Sequence, residues 1–404
     1  MSPAAVMGSQ KPDAINTTAA EQKIGQATSV IIPLLEFGAL GYETWVFVYL
    51  ICIKYLINPS DDIRRDFDIQ PRRATGIALI VVYALLLLFL TIAWLRLLQM
   101  IWSRPDVIPL GDPSQEKTET STKGFGFDQY DAFICDYQGL PLWCDKCHNW
   151  KPDRAHHCKE LGRCVRKMDH YCPWAGGIIG ESTHKFFMQF VTYAALYTTF
   201  AWIVLAVFLA ERSSEMGSKP GTWIGALVVA VLFSVFTFTM SCMTGWNLMI
   251  NFTSVEGIQR GGIHNIALLM SQSSRHSTAS LPPPPPPSTP PTHHKKSSRG
   301  VEQEPTEEDW QVLTTITRPN NRSYVVMQTK PLEHPWYTTL MKGWKDTMGD
   351  SVLDWLLPLK QSPCKRRSHQ GEFEWGEVVY DMAKQYEKKN PGARLALLHG
   401  SSKR

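Results

Sequence analysis

The sequence predicts an all-α polytopic membrane protein, with four transmembrane helices and a cytosolic cysteine-rich domain between the second and the third. Three observations predict it. Four segments stay apolar over the ~20 residues that a helix needs to cross a bilayer. Five of the nine cysteines fall between Cys144 and Cys172, in the gap between the second and third of those segments. Lysine and arginine concentrate in the same gap, as they do on the cytosolic side of membrane proteins.

Taken in order, residues 1–29 read as a cytosolic N-terminal tail. The residues before Ala27 are polar and small, without the apolar core of a signal peptide, so no cleaved leader is expected. The spans read as Val30–Ile57, Gly76–Trp102, Phe186–Ala210 and Trp223–Ile250. The first is the weakest, because Glu36 and Glu43 interrupt it. The second is the strongest: Ile77 to Leu88 is free of charge, and Arg96 is near enough to the end to snorkel. Trp102, Trp223 and Trp246 lie near segment ends, as interfacial aromatics do; Trp45 and Trp202 lie deeper and depart from that pattern.

Four spans put both termini on one side, together with the loop Ser103–Lys185. That loop carries eleven Lys/Arg, against two (Arg212 and Lys219) in Glu211–Gly221. The loop Asn58–Thr75, with Arg64, Arg65, Arg72 and Arg73, reads the other way. The cytosolic placement therefore rests equally on the mixture of cysteines and histidines, which fits metal binding in a reducing compartment.

After the fourth span, 251–270 reads as a juxtamembrane segment and 271–307 as a Ser/Pro-rich spacer, with an unbroken proline run Pro282–Pro287. Residues 308–404 form a cytosolic C-terminal region. Within it, Trp336–Leu359 regains aromatic and apolar content and is expected to fold back onto the membrane domain. Glu377–Lys389 reads as a short amphipathic helix, with Val378, Val379, Met382 and Tyr386 near one face. The net charge of +4 gives no sign of a nucleic-acid partner.

The chemistry lies in the cysteine-rich loop. Cys144-x2-Cys147, then His157 and Cys164, have the residue types and spacing of a closed tetrahedral zinc site. His148 and His156 stand near enough in sequence to replace His157. A closed site is structural, and it would hold a loop with too little apolar content to fold alone. Asp169, His170 and Cys172 then supply an acid, a base and a thiol nucleophile within four residues. An imidazole can take the thiol proton, and a carboxylate can orient the imidazole. Sequence neighbours do not usually form a triad in a regular helix or strand. The spacing therefore predicts a bent loop held by the metal site, with Pro173 disfavouring helix. A reactive thiol beside a membrane suggests chemistry on acyl thioesters.

These residues resemble the DHHC protein S-acyltransferases (palmitoyltransferases), in a DHYC variant similar to fungal members. The resemblance is carried by Cys144-x2-Cys147, Lys151-Pro152-x-Arg154-Ala155-His156-His157-Cys158, Gly162-Arg163-Cys164, Lys167-Met168-Asp169-His170 and Cys172-Pro173-Trp174. Gly180 and Lys185-Phe186-Phe187 complete it. Thr253-Ser254-Val255-Glu256 resembles the family's Thr-Thr-x-Glu motif. The stretch from His334-Pro335-Trp336 through Trp344 to Gly349 resembles its C-terminal aromatic motif, with Gly343 where an asparagine is usual.

The resemblance implies two-step acyl transfer from palmitoyl-CoA, through a thioester on Cys172, to cysteines of membrane-associated proteins. It implies four spans enclosing an acyl cavity, and cations for the CoA phosphates; Arg154, Arg163, Arg166 and Lys167 are the candidates. It also implies two zinc ions. The first site would take Cys144, Cys147, His157 and Cys164. The second would take Cys158 and the positions of Leu161, Tyr171 and Ile178, three of which are not ligands here. One structural zinc is therefore expected, with Leu161, Ile178 and Tyr171 packing where the second would sit. Gly176, Gly177 and Thr183 replace the usual asparagines. Glu256 is expected to pair structurally, and Cys364 to be a surface thiol that could itself be acylated. A catalytically inactive scaffold of the same fold is the alternative. A membrane-anchored RING-type ubiquitin ligase would need eight metal ligands, more than this loop offers.

Overall fold

The computed structural model describes residues 13–113, 127–258, 262–271, 309–318, 321–365 and 368–399. Apart from Ser271, the Ser/Pro-rich spacer lies outside them, as do Arg366 and Arg367. The chain divides into two compact units, each built from three stretches: Met1–Pro109, His156–Thr253 and Leu340–Lys365 in the first; Leu110–Ala155, Ser254–Thr339 and Arg366–Arg404 in the second.

Among the described residues of the first unit, four helices are long and apolar enough to cross a membrane. Helix α1 (Asp13–Thr44) continues through wider π-helical turns over Trp45–Ile57. A short α2 (Asp61–Phe67) leads to α3 (Arg73–Ser103); α4 (His184–Met216) and α5 (Gly221–Met249) follow. Helix α1 therefore takes in more than half of the expected tail 1–29, because Asp13–Lys23 lacks glycine and proline and propagates the helix outward. Helix α4 runs past Ala210 until Gly217, whose φ of +60° gives the left-handed cap that ends helices.

Where the four helices meet, they bury Phe47, Tyr55, Tyr83, Tyr197, Leu205 and Trp223 in one core. Leu85, Leu88, Leu232 and Val235 face outward and are exposed, as suits helices whose solvent is lipid. At one end Arg72 holds Glu211, which also accepts from the Tyr55 hydroxyl at 2.6 Å. One of the four arginines that opposed the charge rule is therefore half-buried and neutralised.

Two hairpins lie between α3 and α4: β4 (His156–Cys158) with β5 (Arg163–Val165), and β6 (His170–Cys172) with β7 (Gly177–Ile179). Asp106, just past α3, fastens them. Its carboxylate accepts from the Ser182 backbone at 2.7 Å, and its carbonyl accepts from the Arg166 backbone at 2.9 Å. Leu97, Met100 and Ile101 at the end of α3 pack against Cys172, Ile179 and Phe187. Residues 340–365 return to this unit, as the aromatic content predicted for much of Trp336–Leu359. Trp344 of α7 (Leu340–Met348) and Trp355 of α8 (Val352–Leu356) pack on Met188 and Leu248.

The second unit corrects the all-α expectation. It holds a four-stranded antiparallel sheet in the order β1–β8–β10–β9, formed by Ala132–Cys135, Asn265–Leu269, Ser323–Gln328 and Gln311–Thr317. A two-residue pair, β2 (Trp143–Cys144) and β3 (Asn149–Trp150), and a short helix α6 (Ser254–Ile258) accompany it. Helix α9 occupies Glu377–Lys389 as expected, and sets Val379, Met382 and Tyr386 against Ile134, Ile266 and Val325. Phe133, Ala267 and Tyr324 project from the alternate positions into a second cluster with Trp150. Both faces of the central strands are thus buried. Such strands show no polar alternation, so a helix-based reading passes over them.

Candidate active site and metal centre

Cys172 closes strand β6. Side chains alternate along a strand, so His170 and Cys172 share one face and Tyr171 takes the other. This differs from the irregular loop expected at sequence level: two-residue spacing on a strand is itself enough to bring base and thiol together. The turn after Cys172 is tight, with Ala175 N donating to the Cys172 carbonyl at 3.2 Å. Gly176 and Gly177 have φ of +83° and +152°, and a side chain on either would meet Leu98 or Ile101.

Asp169, 4% exposed, holds His170 Nδ1 at 2.6 Å through Oδ2. Burial alone would lower the imidazole pKa. The hydrogen bond to Asp169 and the proximity of Cys172 outweigh it and push it up to about 10. The other ring nitrogen, Nε2, is buried without a close hydrogen-bond partner, and the Phe187 ring packs edge-on against the imidazole at 5.3 Å. His170 and Cys172 both line a cavity of about 270 Å³, enclosed mainly by Leu90, Trp94, Val191, Ala194 and Phe233. An imidazole held from behind by Asp169 and a buried thiol therefore border an apolar chamber within the helix bundle.

Both units contain candidate metal donors. In the second, Cys144 and Cys147 are buried and joined by a tight turn, Cys147 N donating to the Cys144 carbonyl at 3.2 Å. In the first, His157 and Cys164 are cross-strand partners of the β4–β5 hairpin, with Nδ1 and Sγ 4.0 Å apart. His156, one residue away, falls on the opposite face. Cys144, Cys147, His157 and Cys164 are a Cys/His set that could hold a metal ion. Thiol and imidazole donors of this kind suit zinc.

Two of the four candidate cations are buried and paired. Arg154 is buried and paired with Glu256 by two bonds of 2.6 and 2.9 Å, and its guanidinium lies over the Trp336 and Phe373 rings. Within the second unit its charge faces Glu256. Glu256 also meets His334 at 3.4 Å. Burial would raise the Glu256 pKa, but the Arg154 charge and His334 hold it well below the usual carboxylate range. Lys167 is buried too, donating to Asn251 at 3.2 Å and to the Cys364 sulfur at 3.4 Å. Arg163 and Arg166 stay half-buried, and Arg163 donates to the Ile108 carbonyl at 2.9 Å.

Residues 138–261 match the family model described as DHHC palmitoyltransferase. The chain is 30% identical over 421 residues to palmitoyltransferase pfa5 of Aspergillus fumigatus, covering 91% of each. The chain belongs to the DHHC palmitoyltransferase family. It is 23% identical to palmitoyltransferase PFA5 of Saccharomyces cerevisiae over 84% of this chain and 83% of that protein. Over a shorter stretch of 121 residues it is 38% identical to palmitoyltransferase ZDHHC15 of Rattus norvegicus, covering 29% of this chain and 36% of that one. It is a protein S-palmitoyltransferase, an acyltransferase by class.

Two departures from the family motif have a visible physical basis. Tyr171, where the family has its second histidine, pairs across the hairpin with Ile178, and its hydroxyl donates to the Gly25 carbonyl of α1 at 3.1 Å. Gly25 in turn leaves room for Glu160, and Gln22 lies against Gly162. Cys158 is buried, with its thiol on Glu160 at 3.3 Å. Leu161, Tyr171 and Ile178 provide no donor set for a second metal, and the extended start of α1 braces this corner instead. Gly343, where asparagine is usual, lets α7 lie directly on the carbonyls of Leu248 and Met249; any side chain there would collide with backbone. Sequence reasoning missed the α1 contacts. The signal available was the absence of glycine and proline from Asp13 to Ile24.

Proposed function

We propose that the chain moves a palmitoyl group from palmitoyl-CoA to cytosolic cysteines of membrane-associated proteins, through a thioester on Cys172. The observation that carries this is the placement of His170, held by Asp169, and Cys172 on the wall of an apolar cavity between membrane-crossing helices. Asp169 makes His170 a stronger base. His170 takes the Cys172 proton, and the thiolate attacks the thioester carbonyl of palmitoyl-CoA. The bond from the acyl carbon to the CoA sulfur breaks, and CoA leaves with the proton held by the imidazolium. A substrate cysteine then gives its proton to His170 and attacks the acyl-enzyme, and Cys172 departs as the leaving thiolate. One thioester replaces another at each step, so no nucleotide is consumed.

Zinc on Cys144, Cys147, His157 and Cys164 would act structurally, as a closed Cys/His set does. Arg163 and Arg166 are the remaining candidates for the CoA phosphates. The cysteine-rich segment faces the cytosol in this reading, which the charge asymmetry of the loops and the reduced cysteines support. The deciding experiment measures CoA release from palmitoyl-CoA by the detergent-purified chain, wild type against Cys172→Ala. Release that requires Cys172 is expected. Equal release from both would replace the enzyme reading with that of an inactive scaffold.

A further inference from the structure

The cavity beside Cys172 contains two carboxyl groups for which palmitoyl transfer has no use. Glu36 and Glu43 both line it. Seven residues separate them, two turns of α1, so they share a face and lie about 10 Å apart along the axis. Glu43 is 4% exposed and neither of its carboxyl oxygens has a hydrogen-bond partner; one oxygen of Glu36 is in the same condition.

The nearby hydroxyls cannot serve them. Thr44 donates to the Leu40 carbonyl at 2.7 Å, so in its 2.9 Å bond with Tyr83 it accepts. Tyr83 has then used its hydrogen, and in its 2.5 Å bond with Tyr197 it accepts in turn. Every hydrogen of the chain Tyr197–Tyr83–Thr44–Leu40 is committed. Thr198 and Thr237, which also line the cavity, each donate to their own helix at 2.7 Å. A carboxyl oxygen accepts hydrogen bonds in either protonation state, and leaving a buried acceptor unpaired is costly. An ionisable side chain inside a membrane span is by default a candidate for function.

The depth of Glu43 says what could satisfy it. Phe187 packs on His170 beside the thiol, and Tyr197 lies ten residues further along α4, about 15 Å deeper. Through Tyr83 and Thr44 that level is also the level of Glu43. An acyl chain attached to Cys172 would therefore meet Glu43 with its distal carbons, and plain methylenes offer it nothing. We infer that the cavity selects long acyl chains bearing a hydroxyl group near their far end, with Glu43 accepting the hydroxyl hydrogen. This rests on the cavity being the acyl site of the proposed reaction.

The test compares palmitoyl-CoA with ω-hydroxypalmitoyl-CoA as donors for the full-length purified chain, reading kcat/KM for Cys172-dependent CoA release. The hydroxylated donor is expected to be favoured by about three- to tenfold, the worth of one buried hydrogen bond. Glu43→Leu should reverse that preference. Glu43→Gln, which keeps an acceptor of the same shape, should retain most of it and guards against a folding defect in the first variant. Equal use of both donors by wild type, or a preference that survives Glu43→Leu, overturns the inference. Absence of Cys172-dependent release from either donor would instead remove the acyl-transfer reading beneath it.

Discussion

Replacing Asp169 with asparagine tests the catalytic arrangement most directly, because it alters the charge behind His170 and little else. In the wild type the 2.6 Å bond from Nδ1 to Asp169 is charge-assisted once the imidazole has taken a proton. Such bonds contribute about 1.5–3 kcal/mol, and each 1.36 kcal/mol is a factor of ten in rate. Asp169→Asn should therefore slow the first step by about ten- to a hundredfold. The pH profile carries the sign. Burial lowers the His170 pKa, and it reaches about 10 through Asp169 and Cys172. With the carboxylate the imidazole holds the thiol proton throughout the neutral range, so the rate should be flat there. In the Asn variant burial prevails and the imidazole is a weaker base, so it draws the thiol proton less completely in the neutral range. The variant's rate should then climb with pH and approach wild type in alkali. The assay is the burst of CoA release from palmitoyl-CoA in rapid-quench experiments across pH. A variant as fast as wild type at neutral pH, or one with a parallel profile, would refute the assignment of Asp169 and His170.

Three further outcomes are expected. Glu256→Gln removes the carboxylate charge from its buried pair with Arg154; breaking such a pair by removing one partner costs about 3–5 kcal/mol, so the melting temperature in detergent should fall sharply, and an unchanged one would show that the pair is dispensable. Because the Glu256 pKa is depressed on folding, its contribution is complete above the ordinary carboxylate range and lost as pH falls below it, so acid should narrow the gap between wild type and variant. Metal analysis should return one zinc per chain, and Cys147→Ser or prolonged chelation should remove it together with CoA release; two ions per chain would contradict the account of Tyr171 and Ile178. Tyr171→Phe deletes only the hydroxyl that reaches Gly25 and should cost about 1 kcal/mol, whereas deleting residues 1–26 removes the whole brace and should slow acylation while zinc content stays constant; normal acylation by the truncated chain would leave α1 without this role.

What could be seen in the sequence, and what could not, follows from the range of the interactions. The spans were legible because a membrane helix satisfies its own backbone and needs only a continuous apolar run. The local donor pair Cys144 and Cys147 was legible because a turn is short. The sheet was not: its strands Ala132–Cys135, Asn265–Leu269 and Ser323–Gln328 come from stretches separated by two membrane spans and by the Ser/Pro-rich spacer. Pairings of that separation leave no local trace beyond a few β-branched and aromatic residues. The surroundings of Arg154 were hidden for a related reason. A cation in a cysteine-rich loop reads as a phosphate contact until Glu256, 102 residues later, is brought against it. The Asp169–His170–Cys172 stretch differs in the opposite direction. A distortion was expected where ordinary strand geometry suffices: residues two apart face the same way, so a histidine and a cysteine flanking one tyrosine are already neighbours. The hydroxyl of that tyrosine reaches α1, so in the proposed mechanism the change from DHHC to DHYC leaves the strand positions of His170 and Cys172 as they are.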